Sequence, residues 1–325
     1  MLDILAAGPF ATVQDLGRPG LRGQGVSVGG AMDSLALRVA NLLVGEDPGA
    51  AGIETTGLPL RVRVGRAALI AVTGAVSRVS VDGVAIPTYT SCLVEAGQVI
   101  EVGPAQQGTW SYLAVSGGIE VPSVLGARST DLKGGYGGIE NGRALRPGDS
   151  LTLGASPIDP APLHKRGGFG VLPPPRLTDP EGHTILRIIP GREYGEFDET
   201  QQARFWGELW TISNSSNRQG YGLQGRKLSP KTPLNLASYG LIPGVVQIPP
   251  AGEPVIQLAE ANTCGGYPRM GTIIAPDLSA LVQVAVGGKL RMQRITRDEA
   301  IAARQATQTY LAHVTETLRS ALKWT

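Results

Sequence analysis

Four polar segments interrupt a chain that is otherwise apolar runs and turns, and each carries groups able to do chemistry. The first is Thr12-Val-Gln-Asp-Leu-Gly-Arg18, followed by Gly29-Gly-Ala-Met-Asp-Ser34. A glycine turn there delivers Asp33 to a helix start. Its carboxylate can cap backbone N–H groups and interact with the helix dipole, and it is also a candidate catalytic acid or base. Gln14, Asp15 and Arg18 read equally as a structural ion pair and turn. The second segment, Gly126-Ala-Arg-Ser-Thr-Asp131 with Lys133, gathers a cation, two hydroxyls and a carboxylate after a strand. Asp131 is the second candidate catalytic carboxylate, although Ser, Thr and Asp also make local turn hydrogen bonds.

The third segment runs from Ser213-Asn-Ser-Ser-Asn-Arg218 through Tyr221 to Gly225. Amides and hydroxyls around one arginine and one tyrosine suit a small polar ligand, or an ordered polar loop. The fourth is Glu260-Ala-Asn-Thr-Cys-Gly-Gly-Tyr-Pro-Arg269. Its glycine pair lets backbone approach a ligand closely. Arg218, Tyr221, Asn262, Thr263, Gly265, Gly266 and Tyr267 are the candidate substrate- or nucleotide-binding residues. Cys264 has no neighbouring His or Lys to activate it and reads as a small packed residue.

Other chemistries lack their residues. Gly287-Gly288-Lys289 is followed by Leu290, so there is no phosphate-binding P-loop. The histidines His164, His183 and His313 are scattered and show no metal-ligand spacing, so no metal site is expected. No G-x-S-x-G elbow occurs. Gly134-Gly-Tyr-Gly-Gly138 does not join a strand to a helix and reads as a plain loop.

The elements that must position these residues are mostly strands. Leu60–Val64 alternates apolar residues with arginine, and 67–72 is continuously apolar. Val79 to Ile86 reads as a hairpin turning at Asp82-Gly83. Further strands are expected at 91–94, 98–102, 111–115 and 151–153. After a proline-rich tract over 154–180, a second set follows at 184–189, 209–213, 244–248, 255–258, 272–274 and 281–286. Helices are expected at 34–44, capped by Asp33, near 199–205, and from a Thr296–Glu299 capping box onward. In that last helix Leu311, Val314, Leu318 and Leu322 form an apolar stripe, and His313 faces solvent. The reading is therefore mainly β: an N-terminal β domain over 1–170, a proline-rich linker over 171–183, and a C-terminal β domain over 184–325 ending in a helix.

Composition agrees. With 42% hydrophobic and 17% charged residues the chain can bury a core, and a net charge of +2 without basic runs gives no support for nucleic acid or an anionic membrane. The 45 glycines and 24 prolines fit many short strands joined by turns. Two cysteines make no disulfide framework, and neither a signal peptide nor a membrane span is visible, so a cytoplasmic protein is expected.

Taken in order, Thr12-Val-Gln-Asp-Leu-Gly-Arg, Gly30-Ala-Met-Asp, Arg38-Val-Ala-Asn-Leu-Leu-Val-Gly45, Tyr112-Leu-Ala-Val-Ser-Gly-Gly-Ile119, Ser129-Thr-Asp-Leu and Gly266-Tyr-Pro-Arg269 resemble one family. It is the allophanate hydrolase subunit 2 family of biotin-dependent carboxyltransferases. Its members include the carboxyltransferase half of urea carboxylase and the C subunit of 5-oxoprolinase. The resemblance implies two cyclophilin-like β-barrel domains. It also implies a partner, the homologous first subunit (the B-type protein of 5-oxoprolinase), with an A-type protein completing the complex on the 5-oxoprolinase side.

Ala261, where urea-carboxylase-like members carry arginine, places the chain nearer 5-oxoprolinase, as do Glu193-Tyr194 with Phe197, Asn217 before Arg218, and Ala302-Ala-Arg-Gln305. The activity implied is ATP-dependent hydrolysis of 5-oxo-L-proline to L-glutamate, with ATP and Mg2+ acting at the level of the complex and no turnover by this chain alone. The alternatives are a carboxyltransferase taking carboxyl from biotin on another protein, since no Lys-Met motif is present, and a non-enzymatic regulator binding a kinase or other partner. Gly222, Gln219, Gly30, Arg192 and Asn262 depart from the family pattern, and Gly222 removes an arginine that would clamp a carboxylate.

Overall fold

A computed structural model describes residues 1–156 and 169–322. Part of the proline-rich tract, with His164, lies outside the described residues. Two compact units divide the chain. The first comprises residues 1–18, 29–174 and 309–325; the second comprises 19–28 and 175–308. The division is not a single cut. Residues 19–28 group with the second unit, where the Arg22 guanidinium donates to the Asn262 carbonyl at 2.9 Å.

The first unit is an eleven-stranded sheet. Its spine is the antiparallel pair Ala68–Val81 and Val99–Val115, in register from Ile70 opposite Val115 to Val81 opposite Ile100, with shifts near Gly74 and Ser77. The two strands expected at 98–102 and 111–115 are thus halves of one long strand, because its partner is also long and pairs with both ends. One half of Val99–Val115 also pairs with Leu60–Val64 and the other with Gly52–Thr55. The hairpin turns where expected, with Asp82 and Gly83 both at positive φ, 47° and 81°. Leu2, Ile4, Ile53, Val62, Ile70, Leu113 and Leu151 are among the residues that fill the core.

Helix α1, Ser34–Leu43, packs on this spine and buries Leu37, Val39, Leu42 and Leu43. Its N-cap Asp33 accepts from the Ala36 amide at 3.0 Å. The Thr73 hydroxyl ties the helix to the sheet by donating to the Ala36 carbonyl at 2.7 Å.

The second unit is a closed barrel of seven strands, in order Thr184–Pro190, Arg269–Ile273, Val245–Gln247, Val255–Gln257, Gly220–Gln224, Trp210–Ile212 and Lys289–Arg294. The last strand closes on the first in parallel, Thr184 opposite Leu290 through Ile188 opposite Arg294. A separate two-stranded ladder pairs Tyr239–Gly240 with Cys264–Gly265. Helix α2, Glu199–Gly207, is capped by Asp198.

The expected strand over 281–286 is not formed. Residues Ala275–Val282 form helix α3, with Pro276 in its first turn and Asp277 beside it. Apolar content alone does not distinguish a short helix from a strand. What decides here is Asp277, 5% exposed, which accepts from Arg187 Nε at 3.0 Å, Nη2 at 2.6 Å and the Arg187 amide at 2.7 Å, pinning the helix to the first barrel strand. The closing strand Lys289–Arg294 follows, a strand absent from the sequence-based expectation.

Helix α4, Arg297–Leu322, begins with the expected capping box: the Thr296 amide donates to Glu299 at 2.7 Å and the Glu299 amide to Thr296 Oγ1 at 3.3 Å. Val314 and Leu318 are buried, Leu311 is half-buried and His313 is exposed; the side chain of Leu322 lies outside those described. No helix among the described residues is long and apolar enough to cross a membrane.

Replacing Asp277 with Ala strands Arg187 without its partner beside the barrel wall. Urea denaturation is expected to show a loss of about 3 kcal/mol.

Candidate functional site

The second unit holds a cleft of about 480 Å³ beside the barrel, within the size range of small-molecule sites. Three chain segments supply its walls. The turn after strand Thr184–Pro190 brings Arg192 and Glu193; strand Arg269–Ile273 brings Arg269; the stretch before the small ladder brings Leu236, Ser238 and Tyr239.

Glu193, 7% exposed, receives Arg269 on both oxygens, Nε at 2.8 Å and Nη2 at 3.0 Å. That fork holds the Glu193 carboxyl below the usual carboxylate range, with burial opposing it. The Arg269 guanidinium lies 4.0 Å from the centre of the Tyr239 ring. Tyr239 donates its hydroxyl to the Tyr267 carbonyl and accepts from Gln247 Nε2 at 2.9 Å. A β-carbon on Gly266 would stand 2.8 Å from the Leu236 carbonyl oxygen, so glycine there allows residues 236–238 to lie against the motif. Arg192 is exposed in the lining and, among the described residues, has no ion pair. The result is a rigid wall, with one cation and the Ser238 hydroxyl exposed beside it.

In the first unit two polar segments far apart in sequence knot together. Asp15 accepts from the Arg128 amide at 2.6 Å, from the Gly17 amide at 2.8 Å and from the Ser129 hydroxyl. Gln14 Nε2 donates to the Thr130 carbonyl and Thr130 Oγ1 to the Val13 carbonyl, both at 3.0 Å. A second buried chain runs beneath α1. Glu54, fully buried, accepts from the Tyr112 hydroxyl at 2.7 Å and the Met32 amide at 2.8 Å, while the Asp33 amide donates to the Tyr112 oxygen at 2.6 Å. Burial, then the Glu54 and Asp33 carboxylates, hold the Tyr112 phenol well above its ordinary range, which keeps it a donor to Glu54.

Comparison with known proteins decides the family. Residues 24–294 match the model of the carboxyltransferase domain, subdomain A and B. Over 310 residues the chain is 43% identical to the 5-oxoprolinase C subunit of Escherichia coli, covering 95% of this chain and 96% of that protein. The corresponding C subunit of Haemophilus influenzae is 37% identical, covering 97% of each. In structure the chain matches the urea carboxylase of Kluyveromyces lactis with a TM-score of 0.85 and 26% identity, over 96% of this chain but 29% of that larger one.

The chain belongs to the carboxyltransferase A and B subdomain family.

Within this carboxyltransferase-family chain, the residues expected to bind or react are distributed as follows. Asp33 is 1% exposed and its side chain caps α1; Asp131 is 6% exposed and accepts from the Gly134 amide at 2.7 Å, shaping its own loop. Arg218 pairs with Glu260 at 2.5 Å, their side chains 8% and 7% exposed. Tyr221 points into the barrel, where its hydroxyl donates to the Val282 carbonyl at 3.3 Å. Asn262 is exposed, and Thr263 is half-buried, its carbonyl accepting from the Leu241 amide at 2.9 Å.

Of that set, the neighbourhood of Tyr239 and Arg269 gathers Gly265, Gly266 and Tyr267. Their close approach is to the chain's own residues 236–241. Cys264, expected to be packed, is exposed, because it sits in the two-residue ladder outside the barrel. The segment from Ser213 to Gly222 bonds within itself, Asn217 Oδ1 accepting from the Gln219 amide at 2.8 Å and Ser216 Oγ from the Gly222 amide at 3.1 Å. Asp15 and Arg18 form no ion pair with each other, although Asp15 does make the turn.

His183, expected to stand apart, lies with Asp179 and Glu181, their ligand-type atoms within 4.8 Å of one another. Arg291 Nε holds the Asp179 carboxylate at 2.7 Å, and His183 Nδ1 lies 3.0 Å from the same carboxylate.

Tyr239, Gln247 and Glu54 were not singled out from sequence. A carboxylate between the β-branched residues Ile53 and Thr55 was the available signal for Glu54.

Arg218→Ala leaves the buried Glu260 carboxyl without its ion-pair partner. A loss of about 3–5 kcal/mol is expected in chemical denaturation, recovered largely by the double change Arg218→Leu with Glu260→Leu. Glu193 gives a pH test. Because its folded pKa is depressed, its stabilisation is present above the unfolded value and lost as pH falls through the folded one. Glu193→Gln should therefore be less stable than the native chain at neutral pH, with the gap closing below about pH 4 in urea titrations.

Proposed function

We propose that the chain is the C subunit of an ATP-dependent 5-oxoprolinase, acting in the cytoplasm with a B-type homologue and an A-type protein to hydrolyse 5-oxo-L-proline to L-glutamate. The observation that carries this reading is the 43% identity to the E. coli C subunit, end to end along both chains. Ala261, fully buried at the barrel end of the fourth motif, accords with it.

The chemistry sets what the site must do. A lactam is a stable amide whose carbonyl carbon resists water. Phosphorylation of its oxygen gives an electrophilic imidoyl phosphate. Water adds to that carbon, the ring nitrogen takes up a proton and leaves as the amine of γ-glutamyl phosphate, and a second water hydrolyses this acyl phosphate to glutamate and phosphate. The substrate's carboxylate is the handle by which a protein can hold the ring still.

In the second unit Arg192 is the cation able to take that handle, with Ser238 as a hydroxyl beside it. The Glu193–Arg269 fork and the Tyr239 stack fix the wall against which the ring would lie. Arg269 is already neutralised, so its role is positioning. The cleft's donor set does not fit a Mg2+–triphosphate: Glu193 is occupied, Glu196 is the remaining carboxylate in the lining, and Mg2+ demands octahedral oxygen ligands. This cleft is therefore proposed for the ring and its carboxylate and not for ATP, which acts at the level of the complex.

A second reading is carboxyl transfer from biotin carried on another protein. The family model and the likeness to a urea carboxylase favour it. Release of CO2 from carboxybiotin by the purified complex distinguishes the two.

The test is co-expression with the two partner proteins and an ATP-dependent 5-oxoproline assay. Glutamate formation is expected from the complex and none from this chain alone; a complex that forms but yields no glutamate sinks the reading. Arg192→Ala in the complex is expected to lower kcat/KM roughly 10- to 100-fold, mainly through KM. An unchanged value removes Arg192 from the site while leaving the activity standing.

A further inference from the structure

The cleft of the second unit is lined by two carboxylates from one short turn, and only one of them is engaged. Glu193 gives both oxygens to Arg269. Glu196 lines the same cleft, is exposed, and among the described residues its side chain makes no ion pair or hydrogen bond. Its backbone is nevertheless held on both sides. The Glu196 amide donates to the Glu193 carbonyl at 3.0 Å, and the Glu196 carbonyl accepts from the Lys231 amide at 2.8 Å. Lys231 Nζ donates to the Gly195 carbonyl at 3.0 Å, and Phe197, the next residue, is fully buried. A free carboxylate therefore stands on a fixed stem at the cleft wall.

With 5-oxo-L-proline taken as the substrate, as proposed above, the lactam sets a requirement for a base. Forming the imidoyl phosphate turns the ring C–N bond into C=N, so the N–H proton must leave. An amide N–H is a very weak acid, and it becomes acidic as its oxygen bonds to phosphorus. A base placed at the nitrogen removes that proton in step with phosphoryl transfer. Most polar groups of the lining cannot serve. Arg192 and Arg269 are guanidinium cations without an acceptor, and the Ser238 hydroxyl is neutral. Tyr239 commits its proton to the Tyr267 carbonyl, and Glu193 is held by the Arg269 fork.

The substrate also dictates where the base stands. Its carboxylate is borne on the ring carbon next to the nitrogen, so the anionic group and the N–H lie side by side. A site that grips the first must place its base beside the grip. Arg192 and Glu196 answer that description: a cation and a carboxylate at either end of one turn, both exposed in the lining and without an ion pair among the described residues.

We infer that Glu196 is the general base of the phosphorylation step. The lactam oxygen attacks the terminal phosphorus of a nucleoside triphosphate, and the bond from that phosphorus to the nucleoside diphosphate breaks. The N–H proton passes to a Glu196 carboxylate oxygen as the ring C=N bond forms. The products are the imidoyl phosphate, the nucleoside diphosphate and a protonated Glu196, which returns its proton to solvent.

The experiment uses the co-expressed complex and reads ADP release that depends on 5-oxoproline, because this reports the phosphorylation step itself. Glu196→Ala is expected to lower kcat roughly 10²- to 10⁴-fold. KM for 5-oxoproline is expected to change by less than about twofold, since Arg192 still holds the carboxylate. The thermal midpoint of the variant should match that of the native chain, because the bonds of Glu196 to the fold are backbone bonds. Added acetate or formate, small enough to enter the space vacated by the side chain, is expected to restore kcat of the variant by about tenfold or more while leaving the native rate unchanged.

An unchanged kcat in Glu196→Ala overturns the inference and leaves the substrate reading standing. A loss that falls on KM alone, or one that neither carboxylate rescues, assigns Glu196 to binding or to the fold and overturns it too. A native complex that releases no ADP in response to 5-oxoproline removes the substrate, and the inference falls with it.

Discussion

The fork between Glu193 and Arg269 is the contact on which the second unit's cleft depends. It joins the turn leaving one barrel strand to the start of its neighbour, and it does so on both carboxylate oxygens. Each further step leans on it. Glu193 holds the Arg269 guanidinium on two bonds while that group stands over the Tyr239 ring, and Tyr239 in turn reaches the Tyr267 carbonyl and the Gln247 amide. Gln247 is itself a barrel residue, held from the side by Gln257 at 3.0 Å. A loop motif rich in glycine thereby acquires the rigidity of the barrel wall. Such a site presents a preformed surface, and the ordering cost of binding falls accordingly.

The first unit solves a similar problem without an ion pair at its centre. Glu54, Tyr112 and Asp33 form a hydrogen-bonded chain in which each buried acceptor meets a donor, and the chain ends on the cap of α1. The helix start is thus registered against the sheet through Tyr112 rather than through apolar packing alone. This explains why Asp33 combines low exposure with a structural role. Its side chain is spent on the Ala36 amide, and its own amide on the Tyr112 oxygen.

What the sequence made legible follows from the range of the forces involved. The Asp82-Gly83 hairpin, the Thr296–Glu299 capping box and the Asp33 cap are local, and residue types within a few positions decide them. Leu60–Val64 was legible because alternation is a local signal of a half-wet strand. Helix α3 was not, because its decisive partner, Arg187, lies 90 positions away in sequence. The same limit governed the site. Arg218 and Tyr221 had the residue types of a binding pair, yet Glu260 and the barrel interior claim them. Conversely, the Asp15–Ser129 knot spans 114 positions and became visible only when the sheet brought its two halves together. Residue type indicates what a side chain can do, and the distant chain determines whether it remains available.

The parallel closure of the barrel has a temporal consequence. Its first strand, Thr184–Pro190, stays an open edge on one side until Lys289–Arg294 exists to cover it. During synthesis that edge must wait for roughly a hundred residues to emerge, several seconds or more at ordinary elongation rates. Meanwhile unpaired backbone N–H and C=O groups are available to any other strand. The chain between the two strands cannot close early, because long-range pairing must first overcome loop entropy. Productive folding of this unit is therefore a late event on the ribosome, and the interval before it is the period in which the growing chain is most exposed to mispairing.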